Sequence, residues 1–209
     1  GLAGFGGVIG AVELSMVPGE DTRLLLASLI VVIVGGMGSV VGAAIGAVIG
    51  HELTHGFDDE GRQFDGDGNL RDWWTKKDGA AFEKRADCVR DQYSQYVVVD
   101  DVKLNGKLTS GEDIADLGGT ILAWEAWKEA TKAMDLETVQ GLTPDQRFFV
   151  GFAQWVCENE RPENLRVMAA TNPHSPGKYR INGVVVNMPE FAEAFQCKDG
   201  SALKKAPDK

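Results

Sequence analysis

Hydrophobic and polar positions are distributed unevenly along this chain. No charged residue occurs between positions 24 and 50, whereas charges are dense from position 51 onward. Residues 24–34, LLLASLIVVIV, are apolar on every face, as in a helix buried in protein or lipid. The next apolar stretch carries a stripe of small residues at four-residue spacing, which lets another helix approach closely: Gly42, Gly46 and Gly50.

This apolar pattern predicts a helical segment over residues 24–50 that is long enough to span a bilayer. The alternative is a glycine-rich helix buried in a soluble core. The uncharged first dozen residues lack a basic start and a cleavage site, so they do not read as a signal peptide. Because Gly1 is not a natural start, we expect the chain to be a piece of a longer one.

The rest of the chain predicts helices that begin at recognisable caps. Residues 97–111, VVVDDVKLNGKLTSG, predict a small hairpin that turns at Asn105-Gly106. Two short helices open at Pro162 and near Pro189. Three longer helices are predicted from capping patterns: Thr75 with Asp78 (to about Tyr96), Ser110 with Asp113 (to about Met134), and Thr143 with Pro144 and Gln146, followed by an aromatic core stripe. The fold class is therefore mainly α.

Composition limits the possible functions. The 209 residues allow one domain, or one domain with an appendage. A formal net charge of −10, with no basic cluster, argues against a nucleic-acid partner. The three cysteines show no CxxC spacing, which argues against a cysteine metal site, although one disulfide could form.

The chemically informative motif is His-Glu-Leu-Thr-His at residues 51–55. Four-residue spacing brings His51 and His55 to one face of a helix, where two imidazole nitrogens can bind one zinc ion. Glu52 lies beside that face, where it can accept a proton from a zinc-bound water. The alternative is a chance occurrence of this short pattern on an exposed helix.

A third ligand is needed, because a catalytic zinc ion usually has three protein ligands and one open position. Glu112, in the segment GEDIAD, offers a carboxylate at the start of a predicted helix. Asp116 follows one turn later on the same face and could accept the remaining N–H of a zinc-bound histidine, most simply His51. Asp58 and Asp59 could make similar contacts near His55. The alternative for Glu112 and Asp116 is an acidic helix start stabilised by the helix dipole.

A second candidate segment contains His174, with Arg180 six residues later. A loop histidine and an arginine can stabilise a developing oxyanion and bind a substrate carbonyl. The residues themselves do not distinguish this role from that of an ordinary surface loop.

Three motifs in order resemble the neprilysin family of zinc metallopeptidases (family M13): HELTHGFDDEGRQFDGDGNLRDWW, GEDIADLGG and NPHSPGKYRINGVVVNMPEFAEAF. The resemblance covers about residues 46–209 and includes FFVGFAQ between the last two motifs. It implies a zincin-like (gluzincin) catalytic subdomain, one catalytic Zn²⁺ and peptide substrates. It also implies a role for each candidate residue: His51, His55 and Glu112 as zinc ligands, Glu52 as general base, Asp116 as the residue that orients a ligand histidine, His174 as transition-state stabiliser, and Arg180 as substrate-binding residue.

Two elements of that family are missing from the sequence. The Asn-Ala-Tyr/Phe-Tyr motif, whose edge strand binds the substrate backbone, is absent. So is the large helical domain that caps the cleft. We therefore expect residues 46–209 to form an incomplete catalytic domain.

Residues 1–45 are similar to the permease subunit of branched-chain amino acid ABC transporters (LivH type), through GLAGFGGVIGAV and LIVVIVGGMGSVVGAAIGAVIG. This similarity implies apolar membrane helices. We expect possible membrane association through residues 24–50 and a membrane-associated or extracytoplasmic location.

Three functions remain open from the sequence. The first is a zinc endopeptidase in which Glu52 activates the water. The second is a zinc-binding fragment or fusion with weak catalysis. The third is a membrane permease component of an amino acid transporter, which leaves the zinc motif unexplained.

Overall fold

The computed structural model describes residues 40–205, which form a mainly helical fold with one two-stranded antiparallel sheet. The elements are α1 (Val40–Thr54), α2 (Lys76–Tyr93), β1 (Val97–Val99), β2 (Val102–Lys103), α3 (Ser110–Thr131), α4 (Pro144–Gln154), α5 (Pro162–Thr171), α6 (Gly177–Val185) and α7 (Pro189–Ala194). Two short 3-10 turns, His55–Phe57 and Gly61–Gln63, follow α1.

Most of the predicted N-terminal segment lies outside the described residues. This applies to the permease-like similarity over residues 1–45, apart from its end, and to residues 24–39 of the predicted span. Within residues 40–205, no helix combines the length and the apolar character needed to cross a bilayer.

The packing of α1 on α3 is the most extensive helix contact among the described elements. Gly50 faces Gly119 and Thr54 faces Gly118, so the two helices run antiparallel. A Cβ atom added to Gly119 would lie 2.2 Å from the backbone nitrogen of His51, and one added to Gly50 would lie 2.6 Å from the carbonyl oxygen of Gly119. The helices therefore touch backbone to backbone, and this fixes α1 beside the first half of α3.

The main hydrophobic core lies where α1, α3, α4 and the α6 region meet. The predicted aromatic stripe of α4 is confirmed, since Phe148, Phe149 and Phe152 are almost fully buried. The rings of Phe149 and Trp124 stack with centroids 5.0 Å apart. Each such side chain contributes about 1.5–3 kcal/mol on burial. The core is lined by Ala43, Ala47, Ala123, Trp124, Ala126, Trp127, Phe148, Phe149, Phe152, Val184, Val185 and Met188.

Two of the three predicted helix caps are confirmed. Thr75 Oγ1 accepts a hydrogen bond from the backbone of Asp78, although α2 ends at Tyr93 rather than near Tyr96. Thr143 and Gln146 form a complete capping box at the start of α4. These caps are predictable because they depend only on residues three positions apart.

The predicted capping box at the start of α3 is wrong. Ser110 is the first residue of the helix and is fully buried, while Thr109 precedes it. The hydroxyl of Ser110 accepts a hydrogen bond from Arg90 Nε at 3.1 Å. The group expected to cap the helix therefore bonds to a side chain of α2 instead. Asp113 is also buried and bonds to side chains instead.

The predicted hairpin exists, but its turn is two residues long and lies at Asp100-Asp101, not at Asn105-Gly106. Asp100 has a positive φ of 51°, which aspartate tolerates better than most residues. Asn105 instead accepts backbone hydrogen bonds from Leu108 and Thr109 just before α3. Asn105-Gly106 therefore belongs to the turn that precedes α3, not to the hairpin.

Candidate active site

His51 and His55 lie at the end of α1 and directly after it. Their Nε2 atoms are 3.0 Å apart and their rings meet edge to face, so both nitrogens point to the same region. The four-residue spacing produces this convergence, as the sequence predicts.

Glu112 brings a carboxylate to the same region from the first turn of α3. Its Oε2 lies 3.2 Å from His51 Nε2, and its Oε1 lies 3.6 Å from His55 Nε2. Ligand atoms around a tetrahedral zinc ion with bonds of about 2.0–2.1 Å lie about 3.3 Å apart. In addition, Glu112 Oε2 is buried without an aligned hydrogen-bond donor among the described residues. The three side chains thus fit a metal ion in donor type, spacing and an unsatisfied buried oxygen.

A carboxylate lies next to the other ring nitrogen of each histidine. His55 Nδ1 is 2.6 Å from Asp58 Oδ2, and His51 Nδ1 is 2.7 Å from Asp116 Oδ1. The second contact is close but not aligned as a hydrogen bond. Carboxylates at Nδ1 favour the tautomer whose Nε2 lone pair is free for a metal. The contact expected between Asp58 and His55 is present, and Asp116 lies beside His51.

The electrostatics of the site follow from this crowding of imidazoles and carboxylates. Burial lowers the pKa of His51, but Asp116 and Glu112 more than offset it, and its pKa rises from 6.5 to about 9. Burial alone would raise the pKa of Glu112, yet the nearby imidazole of His51 and the neighbouring histidines bring it below its usual value. For Asp58, His55 and the backbone N–H groups of residues 60 and 61 likewise outweigh burial and lower the pKa.

Glu52 lies on the exposed side of α1, next to the histidine pair. It makes no hydrogen bond or ion pair with another residue of the 40–205 range, so its carboxylate is free to accept a proton. A cavity of about 390 Å³ opens beside the metal-ligand candidates, and its lining includes His55, Glu112 and Pro173. A small organic group could therefore reach this region.

His174 lies in the loop between α5 and α6 and faces the same cluster. Its Nε2 is 3.2 Å from Glu112 Oε1, and its side chain is 45 % exposed. Asn172 Oδ1 accepts a hydrogen bond from the backbone of His174 and lies 3.1 Å from its Nδ1. The loop thus brings a third imidazole to the site, as the motif order suggests.

Arg180 lies on α6 and forms a two-pronged ion pair with Asp116. Its Nε and Nη2 donate to the two carboxylate oxygens at 2.7 Å and 2.6 Å. Its Nη2 is also 3.7 Å from Glu112 Oε2, and its guanidinium lies 4.5 Å from the centre of the Trp155 ring. Two of the three guanidinium nitrogens therefore contact the protein's own carboxylates, which the sequence does not predict.

Several residues near the site have no clear signal in the sequence. Trp155, predicted only as core, packs edge to face on His51 at 5.7 Å as well as on Arg180. Asp113 is buried, which raises its pKa to about 8 despite hydrogen bonds from Thr109 and Ser175. Asp113 could have been considered from the sequence because it follows Glu112 directly. No nearby residue in the sequence indicates that Ser175 contacts Asp113.

Comparisons with known proteins show which family the chain is similar to. The family model for peptidase family M13 matches residues 38–209. Neprilysin-1 of Caenorhabditis elegans is 48% identical over 175 residues, which cover 81% of this chain and 22% of the relative. Human endothelin-converting enzyme 1 is 44% identical over 172 residues, which cover 81% of this chain and 21% of the relative.

Solved structures show the same similarity. The crystal structure of Mycobacterium tuberculosis zinc metalloprotease Zmp1 in complex with an inhibitor superposes with a TM-score of 0.73 at 39% identity, covering 83% of this chain and 26% of that one. For PepO from Lactobacillus rhamnosis the TM-score is 0.68 at 30% identity, covering 79% and 25% of the two chains. This chain therefore spans about a fifth to a quarter of the length of these relatives. With a family model that matches most of its length and a helical fold shared with solved members, the chain belongs to peptidase family M13.

Proposed function

We propose that this chain carries the zinc-binding catalytic centre of an endopeptidase, with His51, His55 and Glu112 as ligands. The observation that carries the proposal is the convergence of two Nε2 atoms, 3.0 Å apart, on the half-buried carboxylate of Glu112. Each histidine also has a carboxylate at its Nδ1. Chance HExxH patterns on exposed helices have no reason to carry this second set of contacts.

Zinc in such a site supplies a Lewis acid that polarises the scissile carbonyl and makes a bound water more acidic. Glu52 is the proposed general base, because it follows His51 directly and its carboxylate is exposed. It accepts a proton from the attacking water and returns it to the leaving amine. General acid–base catalysis of this kind contributes roughly 10²–10⁴-fold in rate.

His174 and Arg180 are the proposed groups that stabilise the oxyanion and bind the substrate. His174 supplies an exposed imidazole whose Nε2 points to the ligand cluster. Arg180 has Nη1 left without a polar contact to another described residue, since Asp116 takes Nε and Nη2. Donors held in place before the reaction stabilise developing charge without reorganisation.

The test is zinc content together with cleavage of a short peptide that has a hydrophobic residue after the scissile bond. Glu52→Gln preserves the size of the side chain and removes the base. It should retain one zinc per chain and lose at least about 100-fold in kcat. His55→Gln should instead lose the zinc.

The matched control is Glu125→Gln, an exposed change of the same kind on the outer side of α3. It should leave both zinc content and kcat unchanged. Equal cleavage by the wild type and Glu52→Gln would exclude the assignment of the base, and absence of zinc from the wild type would exclude the metal centre.

A second candidate is a zinc-binding chain with weak catalysis. One observation bears on it: the Asn-Ala-Tyr/Phe-Tyr motif, to which the family resemblance assigns substrate binding, does not occur within residues 1–209. Substrate alignment can contribute several orders of magnitude to the rate. Stoichiometric zinc with turnover close to background would support this candidate.

Membrane association through residues 24–50 and a permease role remain predictions about a segment that lies largely outside the described residues. Fractionation into membrane pellet and supernatant tests whether residues 24–50 span a membrane. A chain that stays in the supernatant without detergent does not use this segment as a span.

A further inference from the structure

A buried hydrogen bond joins the His174 loop to α3, next to the proposed metal ligands. Asp113 follows Glu112 in α3, is 1 % exposed, and accepts a hydrogen bond from Ser175 Oγ at 2.7 Å. Its other oxygen accepts from Thr109 Oγ1, also at 2.7 Å. Hydrogen bonds between buried groups are stronger than the same bonds at the surface, because water does not compete for them. Asp113 thus connects the start of α3 to a loop from the far end of the chain.

Ser175 is the residue directly after His174 and is 2 % exposed. It stands between Pro173 and Pro176, whose rings restrict the backbone on either side of the pair. Since successive residues are covalently linked, fixing the Ser175 hydroxyl fixes the backbone from which the imidazole of His174 projects. The imidazole itself is half-exposed and is not held by packing alone.

The remaining contacts of His174 cannot provide the same anchor. Asn172 belongs to the same loop, so its contacts move with the loop. The contact of His174 Nε2 with Glu112 Oε1 uses a proposed metal ligand, whose oxygens are shared with the ion when metal binds. Within residues 40–205, the bond from Ser175 to Asp113 is the hydrogen bond that ties residues 173–176 to α3.

We propose that Asp113 and Ser175 are positioning residues that hold His174 at a fixed place relative to the zinc ligands. The proposal rests on the proposed peptidase function. A displacement of about 1 Å in a catalytic group can cost about 100-fold in rate. The pair therefore acts on the reaction through His174, without touching substrate or metal.

The test compares Ser175→Ala and Asp113→Asn in the full chain. Ser175→Ala removes the donor and should lower kcat roughly 10–100-fold, with KM changed less than about 3-fold and zinc stoichiometry unchanged. Asp113→Asn keeps an acceptor for Ser175, and its amide N–H can donate to the Thr109 hydroxyl. This conservative variant should stay within about 3-fold of wild-type kcat.

A spectroscopic readout separates this inference from the proposed function. The chain has three histidines, so its ring resonances form three sets, and His174→Gln identifies the set of His174. In the zinc-loaded protein, Ser175→Ala should shift and broaden the His174 set while leaving those of His51 and His55 in place. This readout holds even when the wild-type chain does not cleave peptides.

The control is Thr131→Val, which removes a buried hydroxyl whose one hydrogen bond among residues 40–205 is to Trp127 O, within α3. It should alter stability without moving the His174 resonances or kcat. A Ser175→Ala protein with wild-type kcat and an unmoved His174 set would overturn the proposal. So would a His174 set that moves equally in Thr131→Val.

Discussion

Gly119 is the position at which α1 and α3 come closest, and replacing it with alanine tests how the site is held together. In an exposed helix interior, Gly→Ala stabilises by about 0.5–1 kcal/mol because alanine loses less backbone freedom on folding. At Gly119 the added methyl would lie 2.2 Å from the His51 nitrogen, 2.7 Å from the Gly50 carbonyl carbon and 2.7 Å from the His51 Cα. All three neighbours are backbone atoms, so no side-chain rotation can relieve the contact.

The helices must therefore separate by roughly 1–2 Å to restore ordinary contact distances of about 3.4–4 Å. Overpacking of this kind costs about 1–3 kcal/mol, which exceeds the gain in helix propensity. The same separation moves the two histidines away from Glu112. Zinc sites tolerate deviations of only about 0.2 Å in ligand distance. We therefore expect Gly119→Ala to be destabilised by about 1–3 kcal/mol and to bind zinc roughly 10–100-fold more weakly.

Urea denaturation of the metal-free protein measures the stability, and competition with a zinc-binding dye measures the affinity. Gly79→Ala is the matched control, because a Cβ there would meet only the end of the Arg62 side chain, at 4.0 Å. It should stabilise α2 by about 0.5–1 kcal/mol and leave zinc binding unchanged. A Gly119→Ala protein that is as stable as wild type and binds zinc equally well would refute this account of the helix contact.

Two further predictions concern the charged groups of the site. Protonated His51 stabilises the folded metal-free chain, because folding raises its pKa from 6.5 to about 9. This contribution to the free energy of unfolding is complete below pH 6.5, and roughly 3 kcal/mol of it is lost as the pH rises through 9. Urea titrations in the presence of a chelator at both pH values measure this loss of stability. The pKa of Asp113, about 8, lies in the same pH range, so His51→Gln should show a smaller loss than the wild type but not a zero loss. A loss in His51→Gln equal to that of the wild type would contradict the prediction. Arg180→Met removes the two-pronged ion pair of the fully buried Asp116, which then has only His51 beside it, and should cost about 3–5 kcal/mol. Arg71→Met removes an exposed arginine from its pair with Asp65 and should cost under about 1 kcal/mol. Urea denaturation measures both costs. Equal losses of unfolding free energy in the two arginine variants would contradict this prediction.

The parts of the site that could be predicted from sequence depend on short spacing or on ordered motifs. The histidine pair converges because a helix brings residues four apart together. The caps at Thr75 and Thr143 form because the capping groups are neighbours in sequence. The sequence misplaces the hairpin turn and the cap of α3, because Asn-Gly pairs and serines occur in several kinds of local structure. Ser110 looks like a cap, but Arg90 reaches it from another helix.

Long-range contacts account for what the sequence does not show. Read locally, the pair at Gly118-Gly119 weakens a helix, since glycine lowers helix propensity. In the fold the same pair allows α1 to approach α3, and only the partner surface explains the glycines. The bond between Asp113 and Ser175 likewise joins residues 62 positions apart. Neither contact leaves a periodic pattern in the chain.

Asp116 serves two cations with one oxygen, because its Oδ1 faces both His51 Nδ1 and Arg180 Nη2. In the proposed function, a substrate contact that draws Arg180 away from Asp116 leaves more of the carboxylate charge to His51. The imidazole then becomes a stronger electron donor to any ion at its Nε2. Such coupling between two sites is reciprocal, so an ion that draws on His51 must also change how readily Arg180 releases Asp116. In the proposed function, the zinc ligand His51 and the substrate-binding Arg180 are thus thermodynamically linked through a single buried carboxylate.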